Sequence, residues 1–426
     1  MTAGRGQPAG RTPAGLWRNT GFVALWGGRT VSTLGSQVTQ IALPLTAVLV
    51  LAATPLQMGI LRAVAATPDF ALGFVAGAWV DRVRRRRLLI GTDLCQAVVV
   101  GSVPVAALLG VLGLPQLYVV AFLAGALALT FDVAAQAYLP TLVGRDDIAE
   151  GNGRLAVGSS LGSLLGPTLG GSLVQLLTAP IAIAVDSVSF VLSALALTCI
   201  RRPEPAPEPR TGGSTLRDLR ASIGAGLRFM LDHRVLLALA GSAGLFNLFD
   251  GVVFAVYILY ATRVLLVPPA LLGVVIAAGG AGGLVGALLS GRLAGWLNPG
   301  RAAWAALLVA TAGELLIAFA AGPVALAAGL LLLAELLVGL GAVTFGTSYL
   351  TLRQLVTPAP LQGRVHATSR AILSGLGPLG ALLGGLIGQA LGLRAPLIVG
   401  ALGTLLAAAV LLASPVRSWR APDAAG

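Results

Sequence analysis

The chain has 426 residues, of which 56% are hydrophobic and 10% charged, with a mean hydropathy of +0.90. A soluble domain carries roughly 25% charged residues, so a soluble globular protein is excluded, and so is a disordered chain. The net charge of +12 rests on 28 basic residues, all of them Arg, clustered between apolar runs rather than along one helix face, which excludes nucleic acid as a partner.

A spanning helix needs about 20 predominantly apolar residues. Twelve stretches qualify, at about 20–50, 57–80, 88–112, 115–141, 155–178, 180–200, 235–261, 268–296, 302–321, 323–351, 366–392 and 394–414. Their apolar runs are continuous rather than alternating, which argues for helices against barrel strands. The first residues are small and polar and lack a cleavage signature, so we read 1–19 as a cytoplasmic tail followed by an uncleaved helix, not a signal peptide. Of the 28 Arg, 24 fall in the N-terminal tail, the loops after even-numbered spans, the central connection and the tail at 415–426. The positive-inside rule then puts both termini in the cytoplasm. Cys95 and Cys199 lie in apolar runs and are expected to pack between helices. No Cys or His spacing suits a metal, and no cofactor is implied.

The one long polar stretch, 201–234, begins RRPEPAPEPRTGG, a linker unable to bury apolar area. It continues with Ser214 as a cap and Leu216, Leu219, Ile223, Leu227 and Met230 at helical spacing, which predicts an amphipathic helix on the cytoplasmic face. The chain therefore divides into a six-helix bundle at 20–200, a linker, and a second six-helix bundle at 235–414. Internal repetition agrees: GAWVDRV at 77–83 aligns with ALLSGRL at 287–293, and SLGSLLGPTLGG at 160–171 with LSGLGPLGALLGG at 373–385. Two such repeats are a transporter plan, with the substrate site between the halves near the bilayer midplane.

After the second span the sequence reads GAWVDRVRRRRL, from Gly77 to Leu88. Gly77, Asp81, Arg82, Arg85 and Arg86 match the loop between helices two and three of the major facilitator superfamily, which this segment resembles; Trp79, Val80 and Arg84 depart from it. The resemblance implies that Asp81 and the arginines form a charge network that breaks and re-forms during transport. A carboxylate near a helix N-terminus gains roughly 0.3 to 2 kcal/mol, enough to bias a two-state equilibrium without freezing it.

On the fifth span Gly153, Gly162, Gly166, Pro167, Gly170 and Gly171 fit the spacing G-x8-G-x3-G-P-x2-G-G, which resembles the antiporter motif of the superfamily's exporters. Small residues every four positions let helices approach closely, and Pro167 bends the span. The phrases at 24–45, 131–143 and 185–197 are similar to the branch containing macrolide-efflux and enterobactin-type siderophore exporters. That likeness implies a twelve-helix carrier of the bacterial inner membrane, working as a monomer and exporting a small amphipathic molecule, with protons and the lipid bilayer as its other partners. An uptake permease or symporter for a small metabolite is the alternative.

Ionisable groups inside spans are costly and are functional candidates by default. The resemblance places helices 1, 4, 7 and 10 around the cavity, and these carry Arg29, Asp132, Asp250 and Glu335. It places helices 3, 6, 9 and 12 away from the cavity, which sets Glu314 aside, and Asp93 and Asp186 read as interfacial. A proton-coupled carrier needs a buried carboxylate that loads on one side and unloads on the other. Asp250 and Glu335 suit this best; Asp132 either joins them or pairs with a basic residue. Phe131, Gln136, Phe246, Asn247, Phe249, Tyr257, Phe345 and Tyr349 are the candidate cavity lining, and His366 reads as interfacial. The sequence has no nucleotide-binding loop and no nucleophile–base constellation, so an enzyme and a primary pump are both disfavoured. A passive channel is disfavoured by the two-halves plan.

Overall fold

The computed structural model describes residues 15–73, 79–80, 82–144, 146–201, 204 and 216–418, with the backbone alone at 216–223, 294 and 417–418. Among the described residues the chain is helical, without strands. The helices are α1 (Thr20–Leu49), α2 (Pro55–Ala71), α3 (Arg85–Leu108), α4 (Leu114–Val143), α5 (Ile148–Leu177), α6 (Ala179–Thr198) and α7 (Leu216–Asp232). They continue as α8 (Arg234–Arg263), α9 (Pro269–Leu293), α10 (Gly295–Phe319), α11 (Val324–Val356), α12 (Gln362–Leu391) and α13 (Arg394–Leu412). Each of the twelve expected spans coincides with one of these, α7 being the extra helix. Among the described residues, nine of them are long and apolar enough to cross a membrane. Of the others, α2 has 17 residues, while α1 and α5 are diluted by polar and glycine residues.

Local chemistry sets the helix ends. Asn19 Oδ1 accepts from the amides of Gly21 and Phe22 (3.1 and 3.2 Å) to start α1. Thr54 and Gln57 form a reciprocal capping box ahead of α2, with Pro55 in the first turn. Near the start of α10 the helix kinks without a long loop: Asn298 takes φ 60°, a conformation Asn tolerates, Pro299 follows, and Asn298 Oδ1 accepts from the Arg301 amide at 3.0 Å.

Within the first half α1 packs on α5 and α6, α3 on α4 and α6, and α2 on α4; within the second, α8 packs on α12 and α13. The halves meet where α2 touches α12 and α8, and where α5 touches α9. Two seams of small residues repeat this plan. Gly158, Gly162, Gly166 and Gly170 of α5 back onto Thr30, Thr33, Gln37 and Val38 of α1, while Gly171 faces Gly273 and Pro269 of α9. In the second half Gly380 and Gly384 of α12 back onto Leu248 and Val252 of α8, while Gly385 faces Gly59 of α2. The repeat is therefore a shared packing role, and its register differs from the Gly-Pro alignment by most of a helical turn.

Two expectations change. Cys95 and Cys199 are exposed rather than packed between helices. On α7, Leu216, Leu219 and Ile223 lie outside the described side chains, and Ser214 outside the described residues. Of the rest of its stripe, Met230 is buried with Leu236 and Val365, and Gly226 abuts Arg364, so this end of α7 docks on α8 and α12. Leu227 is 39% exposed.

Candidate functional site

Gly77 and Asp81 lie outside the described residues. Arg82 is exposed, while Arg86 reaches the end of α6: its Nε and Nη2 donate to the carbonyls of Leu197 (3.2 Å) and Thr198 (2.7 Å). The amides of Arg85 and Arg86, at the start of α3, donate to the carboxylate of Glu204 (2.7 and 3.2 Å). A cation thus meets the negative end of α6 and an anion the positive end of α3. The sequence reading missed Glu204 because its neighbours are those of a solvated linker.

In the α5 motif, Gly153 is exposed with open space around it and makes no close helix contact. Gly158, outside the motif spacing, makes one against Trp26 and Thr30, and Pro167 is buried with its carbonyl against Gly273.

On the first half, Arg29 of α1 and Asp132 of α4 form an ion pair at 2.9 Å, with side chains 19% and 55% exposed. Asp132 therefore pairs with a base. Asp69 of α2 acts on it electrostatically, and Gln136, one turn along α4, is exposed beside it. Phe131 is buried among Phe22, Leu25 and Tyr138, a packing residue rather than cavity lining. A pair this open contributes about 0.2–1 kcal/mol to stability. Arg29→Gln with Asp132→Asn is accordingly expected to move the thermal unfolding midpoint by no more than about 4 °C, measured on purified protein.

The second half holds three carboxylates in one neighbourhood: Asp250 of α8, Glu314 of α10 and Glu335 of α11. Asp250 acts electrostatically on both of the others. Glu314 is 1% and Glu335 7% exposed. The Tyr257 hydroxyl lies beside Glu335 and the Thr404 hydroxyl beside Glu314, neither completing a hydrogen bond. Arg62, from α2 of the other half, faces Asp250 and lies 5.5 Å over the ring of Phe254.

The candidate aromatics fall elsewhere. Phe246, Phe345 and Tyr349 are buried in one core, Phe246 and Phe345 edge to face at 5.7 Å, with Arg353 over Tyr349 at 5.5 Å. Phe249 abuts Gly403 of α13, Tyr257 is 1% exposed, and Asn247 Nδ2 donates to the Ala243 carbonyl of its own helix at 2.9 Å. Phe254, which the sequence reading passed over, is 39% exposed and takes the open position on α8. His366 is exposed near the start of α12, where Arg353 donates to its Nδ1 at 2.8 Å and ties α11 to α12. Asp93 and Asp186 are 0% and 1% exposed, so they are buried rather than interfacial.

Comparison with known proteins bears on the same plan. Residues 25–378 match the family model described as Major Facilitator Superfamily. The multidrug efflux pump Tap of Mycolicibacterium fortuitum is 30% identical, with 82% of this chain and 84% of that protein covered. The enterobactin exporter EntS of Citrobacter koseri is 29% identical, covering 76% and 77%. Among solved structures, a bacterial homologue of the iron transporter ferroportin in its inward-facing state superposes with a TM-score of 0.74 at 19% identity, covering 94% of this chain and 99% of that one. The same homologue in an outward-facing state gives 0.56, covering 92% and 98%. The chain belongs to the major facilitator superfamily and is a membrane transporter, not an enzyme.

Proposed function

We propose that the chain exports a small amphipathic organic molecule in exchange for protons, by alternating access between its two six-helix halves. The observation that carries this reading is that Arg62 of α2 acts electrostatically on Asp250 of α8 across the halves, with Glu335 and Glu314 within electrostatic reach of Asp250. A proton on Asp250 cancels the attraction that draws α8 towards α2. Proton loading and rocking thereby become one event. Glu335 and Glu314 give the proton a second and a third carboxylate within electrostatic reach.

Direction rests on the likeness to Tap and EntS, both named as exporters. With its Arg-rich loops in the cytoplasm, the tight glycine contacts of Gly171 with Gly273 and of Gly59 with Gly385 close the outer end, and the form described is inward-facing. We place the cargo against Arg29, Asp132 and Gln136 of the first half and Phe254 of the second. The resulting picture is a monomer in a bacterial inner membrane, with both termini cytoplasmic.

Inverted membrane vesicles test the proposal. With the vesicle interior acidified, at least one compound from a panel of amphipathic antibiotics, dyes and siderophores will accumulate inside, and collapsing the proton gradient will release it. Accumulation confined to right-side-out vesicles would mean uptake, and no response across the panel would count against the antiporter.

A further inference from the structure

The first half contains a second set of buried acids that the reading above does not use. On α6, Asp186, Ser189 and Ser193 recur at helical spacing and form one stripe. It faces α1, where Gly28 abuts Ser193 and Gly35 abuts both Ser189 and Asp186. Thr39 of α1 lies beside Asp186, and Asp93 of α3 beside Ser193. Without side chains at Gly28 and Gly35 the helices close on a file of oxygen atoms. Asp93 and Ser193 are 0%, Asp186 1%, Ser189 5% and Thr39 9% exposed.

Among the described residues no Arg or His pairs with either carboxylate. Both oxygens of Asp93, and the hydroxyls of Thr39 and Ser193, lack hydrogen-bond partners. Ser189 donates to Asp186, at 3.2 Å. A buried carboxylate either takes up a proton or is paired with a cation, because leaving one charged and bare costs several kcal/mol. Carboxylate and hydroxyl oxygens without nitrogen or sulfur are the ligands of hard cations.

Geometry also limits the charge of the ion. Asp186 and Ser193 are seven residues apart, which is about 10 Å along the helix axis. Asp93 sits at the Ser193 end and Asp186 at the Thr39 end, so the two carboxylates do not grip one ion together. Each station offers a single negative charge.

We propose that the seam between α1, α3 and α6 binds small monovalent cations, Na+ foremost. The principal station is Asp186 with Thr39 and Ser189, and Asp93 with Ser193 forms the second. The site is independent of the exchange reading, because it lies in the other half from Asp250, Glu314 and Glu335.

Direct binding of radioactive 22Na+ to the purified full chain in detergent, by scintillation proximity, tests it. Saturable binding is expected, displaced by Li+ and not by choline. Asp186→Asn should weaken it at least tenfold and Thr39→Val severalfold, while the double variant Asp250→Asn with Glu335→Gln should bind as the unaltered protein does. Should Asp186→Asn fail to fold, Thr39→Val and Ser189→Ala decide the matter. Absence of saturable 22Na+ binding, or binding untouched by these seam variants, overturns the proposal. A loss confined to the Asp250 and Glu335 variant would move the site to the other half and overturn it equally. Failure of the vesicle experiment would leave this result unaffected.

Discussion

With Asp250 replaced by Asn and Glu335 by Gln, the transporter is expected to insert and fold but to lose uphill accumulation of its cargo. Insertion should not suffer, because an ionisable carboxyl at a helix centre costs about 2.5–3.5 kcal/mol and its amide counterpart less. Counterflow of labelled against unlabelled cargo should continue, since neither change touches the α2–α12 or α5–α9 contacts on which the halves are proposed to rock. What disappears is the link between proton and motion. Exchange of one proton across a two-unit pH gradient supports about a hundredfold accumulation of a neutral cargo, each unit being worth about 1.4 kcal/mol. In the double variant that ratio should fall to about one at unchanged counterflow. Asp250→Asn alone should carry the larger share, because it removes the group Arg62 faces. Uphill accumulation retained in the double variant would sink the assignment. Loss of counterflow as well would point to damage to the scaffold.

The sequence-level reading succeeded where one physical signal dominated. Twelve apolar runs gave twelve helices because the bilayer leaves the backbone no alternative. The glycine spacing of α5 found a true seam because close approach tolerates no side chain. Helix rotation was far less legible. On α8 the apolar residues run all the way round, so no stripe marks the inward face. Phe249 and Phe254 look interchangeable in the sequence, yet five residues turn the helix by about 140°. One lies against α13 and the other opens beside Arg62. Burial of ionisable groups was misjudged for the same reason. Distance to the span ends misleads for Asp93 and Asp186: Asp186 is buried against Gly35 of α1, and Asp93 beside Ser193 of α6. Glu314 was set aside with its whole helix, although its position at the centre of a span was signal enough to keep it. Glu204 left no mark at all, since its partners are backbone amides 118 and 119 positions away.

Enlarging the glycines at the two inter-half contacts should shift the transporter away from the form described. A Cβ on Gly59 would come within 2.9 Å of the Gly385 Cα, and one on Gly171 would overlap the Pro269 carbonyl and lie 2.9 Å from the Gly273 Cα. These neighbours are backbone, so no side chain can swing aside. Overpacking costs about 1–3 kcal/mol per site in a tight core, and the contacts are separate, so Gly59→Val with Gly171→Val should destabilise this form by about 2–6 kcal/mol. About 5.5 kcal/mol inverts a 99:1 population. The opposite form, in which this end opens, loses nothing and should become substantially populated. Gln175 and Ala270 report the change: the Ala270 amide donates to the Gln175 side chain at 3.1 Å across the α5–α9 contact. With Cys95 and Cys199 changed to Ser, cysteines at 175 and 270 should cross-link rapidly in the otherwise unaltered protein and at least tenfold more slowly in the valine variant. Gly346→Val is the control, because Gly346 is helical and exposed with open space around it, and it should cross-link at the parental rate. Equal cross-linking in all three proteins would mean that these glycines do not hold the closed end together, and the rocking mechanism would lose its pivot.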